Sequence, residues 1–327
     1  MKKTIAYIIL FLHPLLANAV VIDPKFSLDP ASLSIDNNIT PDDVLSPGPV
    51  VFTQGTDLGL QDDFFNGVFD NLNALSYGQD PIENPLYFSV DEVAVGQLGT
   101  DVNIEASPGI EEAAGDVYKS LPPFFDNELF IDEQALGLAP GFFGDDLDAL
   151  DLDSRPAPFT YFSIDFLSVT NGFGGADLQN DILVSDGNGG FDIYAFHQQI
   201  GLQVGDDIDA LILIDILDGD LDPIADPGID IALFSLDQFS PSTFTFTGLD
   251  YAPCISGQLS PSDVCITDFT GGFGLWASAL DLGLRPDDNL DALDTIPEPG
   301  TVFLLGVGLL GLLFNQFWRN KPRLIHC

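Results

Sequence analysis

The hydrophobic positions of this chain come in short runs of alternating pattern. One stretch shows this well: FTYFSIDFLSV (159–169), DILVS (181–185), FDIYAF (191–196) and DIDALILIDIL (207–217). Each run is rich in β-branched and aromatic residues and bounded by Gly, Asp or Asn, which predicts strands. SDGNGG (185–190) joins the middle pair as a hairpin turn, because Gly and Asn tolerate positive φ. In the last run Ile208, Ala210, Ile212 and Ile214 fall on one face, and Asp209, Leu211, Leu213 and Asp215 on the other. A strand apolar on both faces belongs to a sheet packed between two others. No long amphipathic helix is evident. Short helices are expected near Asp132–Leu136 and Ala277–Leu282.

The pattern repeats. F-S-[VLI]-D starts at Phe26, Phe88, Phe162 and Phe234. An Asp before a β-branched run follows at Asp43, Asp116, Asp181 and Asp263. Then come Leu58-Gly59-Leu60, Leu136-Gly137-Leu138, Ile200-Gly201-Leu202 and Leu282-Gly283-Leu284. Last is an acidic hexad whose [LI]-[DN]-A-L core starts at Leu72, Leu147, Ile208 and Leu290. Four ordered quartets define four repeats, about 26–76, 88–152, 162–215 and 234–294. With about four strands each, residues 20–294 read as an all-β, four-bladed β-propeller. Another repetitive β-sandwich or a β-solenoid is the alternative. The last hexad is free to pair with the first F-S-x-D strand and close the ring. In each hexad the Asp pair is expected to cap the turn while Leu, Ala and Leu pack. The order L-G-L, D-[LI]-D-A, Y-F resembles hemopexin-type propeller repeats. That resemblance implies architecture and carries no function with it.

Apolar content of 46% and 27 Phe allow a sizeable core. The net charge of −42 is concentrated in residues 20–296, whose cations are Lys25, Lys119, Arg155 and Arg285. Such a surface repels nucleic acid and anionic lipid, and attracts divalent cations and cationic polymers. Halophilic adaptation gives the same composition.

Both ends read as targeting segments. MKKTIAYIILFLHPLLANA (1–19) has a Lys pair, an apolar run and an A-x-A site, which predicts a signal peptide cut by signal peptidase after Ala19. Residues 295–327 contain Pro297-Glu298-Pro299, an apolar stretch over 301–318 long enough for a membrane helix, and a basic cluster at Arg319, Lys321 and Arg323. This order closely resembles the PEP-CTERM sorting signal of Gram-negative bacteria. The resemblance implies an exosortase as partner, processing near the Pro-Glu-Pro, inner-membrane anchoring through the helix beforehand, and release to the envelope or matrix with exopolysaccharide. Two departures are Ile296, where Val is usual, and the LIHC extension.

Chemistry is sparse. His197 is the only His between the two end segments and reads as a satisfied or exposed residue. No G-x-S-x-G, H-E-x-x-H or phosphate loop is present. DILDGDLDPIADPGID (215–230) fails as an EF-loop: from Asp218, the sixth position is Pro223 and the twelfth Ile229. Cys254 and Cys265 are a natural disulfide pair in an oxidising compartment. If the hexads are inner strands, Asn73, Asp148, Asp209 and Asp291 come near one axis. Asp148, Asp209 and Asp291 would then need a divalent cation, for which calcium is suited, or each would cap its own turn; Asn73 favours the second.

Three function classes are open. The first is a non-enzymatic, exosortase-sorted envelope or matrix protein. The second is a calcium-dependent adhesin or ligand-binding propeller, and the third a carbohydrate-active enzyme.

Overall fold

Each hexad core forms the innermost strand of a four-stranded antiparallel sheet. The computed structural model describes residues 24–295 except 37, 64–67, 79–84, 142, 153–158, 172–177, 215–222 and 244–258. In chain order the strands begin with β1 (Pro24–Leu28), β2 (Val44–Ser46) and β3 (Val50–Thr53), followed by a short hairpin, β4 (Asp62–Asp63) and β5 (Val68–Phe69). Next come β6 (Leu72–Ser76), β7 (Leu86–Val90), β8 (Val117–Ser120) and β9 (Glu128–Ile131), then β10 (Leu147–Leu152), β11 (Thr160–Ile164), β12 (Ile182–Ser185) and β13 (Asp192–Ala195). The last are β14 (Ile208–Ile214), β15 (Ile231–Leu236), β16 (Val264–Thr267), β17 (Phe273–Ala277) and β18 (Leu290–Thr295).

Blade 1 is β18-β1-β2-β3, blade 2 β6 to β9, blade 3 β10 to β13 and blade 4 β14 to β17. Each innermost strand packs on those of the blades before and after it, and the strands also meet across the ring. The result is a four-bladed propeller. The ring closes through blade 1, where β18 pairs antiparallel with β1 from Pro24↔Thr295 to Leu28↔Leu290. The sequence repeats are therefore offset by one strand from the blades.

One feature of the inner strands was hidden in the alternation. Leu72 pairs with Val90 and Ala74 with Ser89, so Asn73 bulges from the ladder. The same skip occurs at Asp148, Asp209 and Asp291. A bulge inverts the faces beyond it and re-aims its own side chain. Ile208 therefore shares a core cluster with Leu211 and Leu213, while Ala210 and Ile212 face the other way. The expected grouping of Ile208 with Ala210 and Ile212 is corrected accordingly. Around the ring, the two hexad-core Leu or Ile positions pack back onto the preceding blade, and the Ala packs forward onto the next. The four apolar clusters are the four blade junctions.

β11 ends at Ile164, short of the expected Val169, because Asp165 turns the chain by accepting from the Leu167 N–H. Short helices follow the outer strands: α2 (Glu133–Leu136), capped by Asp132, α3 (His197–Ile200) and α4 (Ala279–Leu282), capped by Ser278. A 3₁₀ turn at Gly55–Leu58 takes this place after β3. An additional helix, α1 (Asp101–Glu105), lies in blade 2 and, like α3, was not expected. The Gly of each L-G-L unit ends its helix in the left-handed region; at Gly201 φ is 96°, and a Cβ would lie 2.7 Å from the Gly272 Cα in the next blade's hairpin.

Candidate functional site at the carboxylate end of the ring

Four classes of carboxylate are set by the repeat, and their partners separate them. The first Asp of each hexad is a clamp. Asp288 accepts from Arg285 N at 2.8 Å, Ser34 N at 2.8 Å and Ser34 Oγ at 2.6 Å. Asp206 accepts from Gln203 N at 2.7 Å, and from Ser242 N and Ser242 Oγ at 2.8 Å each. Asp145 does the same with Ala139 and Thr170. Asp70 lacks the hydroxyl and uses three backbone donors, Gln61, Val95 and Gly96. Each clamp ties the residue after L-G-L to the loop that leaves the second strand of its blade.

The two positions on either side of the first hexad-core residue face the blade junctions. The bulged side chain reaches the residue that precedes the next hexad core. Asn71 Nδ2 donates to Asp291 at 2.6 Å. Asn73 Nδ2 donates to Asp146 at 3.1 Å and to Asp148 at 3.2 Å. Asn289 hydrogen-bonds to Asp209. Three junctions thus match an amide with a carboxylate. The fourth, between blades 3 and 4, sets Asp148 against Asp207. There one oxygen each from Asp148, Asp207 and the half-buried Asp165 lies within 4.8 Å of the others. Burial pushes the Asp148 carboxyl well up, and the Asp207 charge adds most to that. Asp207 rises for the same reason, with Asp165 its strongest charged neighbour.

The F-S-x-D Asp residues form a further acidic ring. Asp29, Asp91, Asp165 and Asp237 each cap their own turn two residues on. All four carboxyls are raised by partial burial; Asp91 also feels Asp29 and Asp165. Two residues before the Asp, the motif Ser bridges blades. Ser27 Oγ donates to Leu72 O at 2.7 Å, Ser163 to Ile208 O at 2.6 Å and Ser235 to Leu290 O at 2.9 Å. Ser89 instead donates within its blade, to Ala114 O at 2.9 Å.

The second landmark Asp explains itself in the same way. Asp43, Asp116, Asp181 and Asp263 each accept from the first N–H of the following short helix or 3₁₀ turn. In blade 2 that residue is Glu133, and burial together with its carboxylate pushes Asp116 up to about 10. In blade 3 it is His197, whose Nδ1 lies 2.9 Å from Asp181 Oδ1. His197 is thus a satisfied residue.

The sequence-derived candidates distribute unevenly. Of the proposed cation ligands, Asp148 is in the junction cluster. Asp209 and Asp291 are held by Asn289 and Asn71 at their own junctions. Turn capping falls to the first hexad Asp, while the middle Asp reaches sideways. Asp165 and Asp207 were not singled out; the signal was the run Asn71, Asp146, Asp207, Asn289, where Asp and Asn alternate by pairs. Cys265 is buried on β16, and Cys254 lies outside the described residues, as do Ala19, Asp218, Pro297, Glu298, Pro299 and the apolar stretch 301–318. Among the described residues no helix is long and apolar enough to cross a membrane.

Comparison with known proteins bears on the tail. Residues 295–315 match the PEP-CTERM protein-sorting motif. The motif implies an extracellular protein sorted by an exosortase, with export and membrane-anchored processing in a Gram-negative bacterium. The match opens at Thr295, the last residue of β18, so the ring closes where the sorting motif begins. No curated protein sequence matches the chain.

Proposed function

We propose that this protein is a non-enzymatic propeller delivered to the cell envelope or extracellular matrix, where it works alongside exopolysaccharide. The sorting motif at 295–315 carries the reading. Systems that use this signal accompany exopolysaccharide production. The use of the acidic side chains supports a non-enzymatic role. The clamp, turn and helix-cap carboxylates are spent on backbone donors, and His197 is bound to Asp181. The likeness to hemopexin-type repeats rests on element order and contributes architecture alone.

Pairing of Pro24 with Thr295 brings both ends of the ring to one strand pair. Processing near Pro297–Pro299 would leave β18 whole, so the released domain keeps its closure. Mass spectrometry of the protein from its host, with and without the exosortase, tests this. The expected mature chain begins at Val20 and ends near Pro299, and it is retained full-length at the C-terminus when the exosortase is deleted. A mature product keeping both termini in the presence of the exosortase overturns the proposal.

A further inference from the structure

We propose that Asp148, Asp165 and Asp207 bind one divalent cation of the calcium class at the junction of blades 3 and 4. The fold supplies its own controls. At the other three junctions a carboxylate meets an Asn amide, through Asn71, Asn73 or Asn289. Here the same geometry brings two carboxylates together and adds a third. The second observation is Asp207 itself. It is 7% exposed; its Oδ2 accepts from Phe166 N at 3.3 Å, and its buried Oδ1 has no hydrogen-bond partner among the described residues. A buried, unpartnered carboxylate oxygen needs a cation or a proton to offset its desolvation.

The surroundings favour the cation. Beyond the three cluster members, the charged groups that act on Asp148 and Asp207 are Asp146, Asp206, Asp209 and Asp237, all of them acidic. Calcium takes six to eight oxygens at about 2.3–2.6 Å, so oxygens on opposite sides of it stand about 5 Å apart. The 4.8 Å span of the cluster fits that separation. Asp165, only half-buried, leaves a side through which water completes the coordination. One proton, by contrast, joins two carboxylates and leaves the third unmatched.

The test uses the full chain in mild detergent, stripped with a chelator and titrated with calcium chloride at fixed ionic strength. Calorimetry should show one saturable event. At calcium about 100-fold above Kd, Tm should rise by about 5 °C for a domain of this size. Asp207→Asn installs the amide that the other junctions use. It should fold, hold a raised Tm in chelator and lose the saturable event. Asp186→Asn, on the exposed β12–β13 turn, should keep it. If Asp207→Asn fails to fold, Asp165→Asn gives the same readout. Absence of a saturable event in the unmodified protein overturns the proposal. So does an event that survives Asp207→Asn, or Asp165→Asn in its place, and so does an equal response to magnesium chloride.

Discussion

Asp206 and Asp207 are adjacent in the chain and both nearly inaccessible, at 0% and 7% exposed, yet they occupy opposite electrostatic situations. Asp206 receives three donors at 2.7–2.8 Å, two of them backbone N–H groups that the turn cannot withdraw. Asp207 receives one at 3.3 Å and faces two carboxylates. Peptide geometry points consecutive side chains apart, so one residue lands in the turn and the next at the junction. Burial alone therefore does not decide the cost of a carboxylate. The number of fixed donors does.

The largest consequence is a pH dependence of unusual sign. Burial holds Asp146, Asp148, Asp207, Asp209 and Asp291 well above the ordinary carboxylate range. At the other end of the inner strands Asp294 is pushed up to about 7, from 3.8, also by burial. A raised group holds a proton in the fold that the unfolded chain has released. Its stabilisation is complete below the unfolded value and is lost as pH rises through the folded one. In chelator, urea denaturation should therefore give higher stability at pH 5 than at pH 8. The exposed Asp186 and Asp268, lowered by donors in their own turns, and Asp281, lowered by the helix-capping Ser278, act oppositely, losing their contribution only as pH falls below the ordinary range. A stability that climbs steadily from pH 5 to pH 8 would break the comparison. Asp294→Asn should flatten the step near neutral pH.

Next in size is the clamp. Asp206→Ala strands the Gln203 and Ser242 N–H groups and should cost about 2–4 kcal/mol, given charge-assisted, buried hydrogen bonds. Its neighbour should respond in the other direction, since Asp207→Asn removes a charge that has a single long donor. Urea curves of the two variants in chelator would sharpen the contrast; equal losses would erase it.

Much of this was legible in the sequence, and the reasons are local. F-S-x-D, L-G-L and the hexad recur in fixed order because each is a turn or a junction that every blade needs. Gly137, Gly201 and Gly283 mark helix ends lying against the next hairpin. The strand count and the β18–β1 closure follow from that order. What the alternation hid was the bulge. A period-two reading of DIDALILI puts Ile208 with Ala210, and one unpaired residue at Asp209 reverses this. Of the three sequence candidates only Asp148 falls in the proposed cation cluster, and the cause is the same. Sequence symmetry pointed to Asp148, Asp209 and Asp291 as one ring. The bulge sends each sideways, and only Asp148 faces an Asp across its forward junction, while also accepting from Asn73 behind it. A contact between blades belongs to no single repeat, so no repeat displays it.

The asymmetry of the junctions can be reversed by one atom pair. Asn289→Asp would set a carboxylate against Asp209 and copy the arrangement at Asp207. Among the described residues Asp209 already has one buried oxygen without a partner. The variant should lose about 1–3 kcal/mol in chelator, the cost of an unmatched buried charge offset in part by protonation. Calcium should recover part of that loss if three carboxylates, including the nearby Asp237, suffice for a site. No loss at neutral pH would show that the amide at Asn289 is dispensable, and with it the account of the other junctions.

The smallest expected effect separates two serines of one motif. Ser163 Oγ donates across the junction to Ile208 O, one residue from Asp207, whereas Ser89 donates to Ala114 O within its own blade. Both bonds are buried, so Ser163→Ala and Ser89→Ala should each cost about 1 kcal/mol. Global stability thus leaves the two alike. They differ in what the bond holds. Ser163 fixes the spacing between β11, which Asp165 follows, and β14, which Asp207 precedes. Its loss should weaken calcium binding, while Ser89→Ala, in blade 2, should leave the affinity unchanged. Calorimetric titration of the two variants resolves this, since a few-fold change in Kd is measurable where 1 kcal/mol of stability is shared. Equal affinities would mean that Asp165 and Asp207 are positioned by their own turns, with the blade contact adding stability alone.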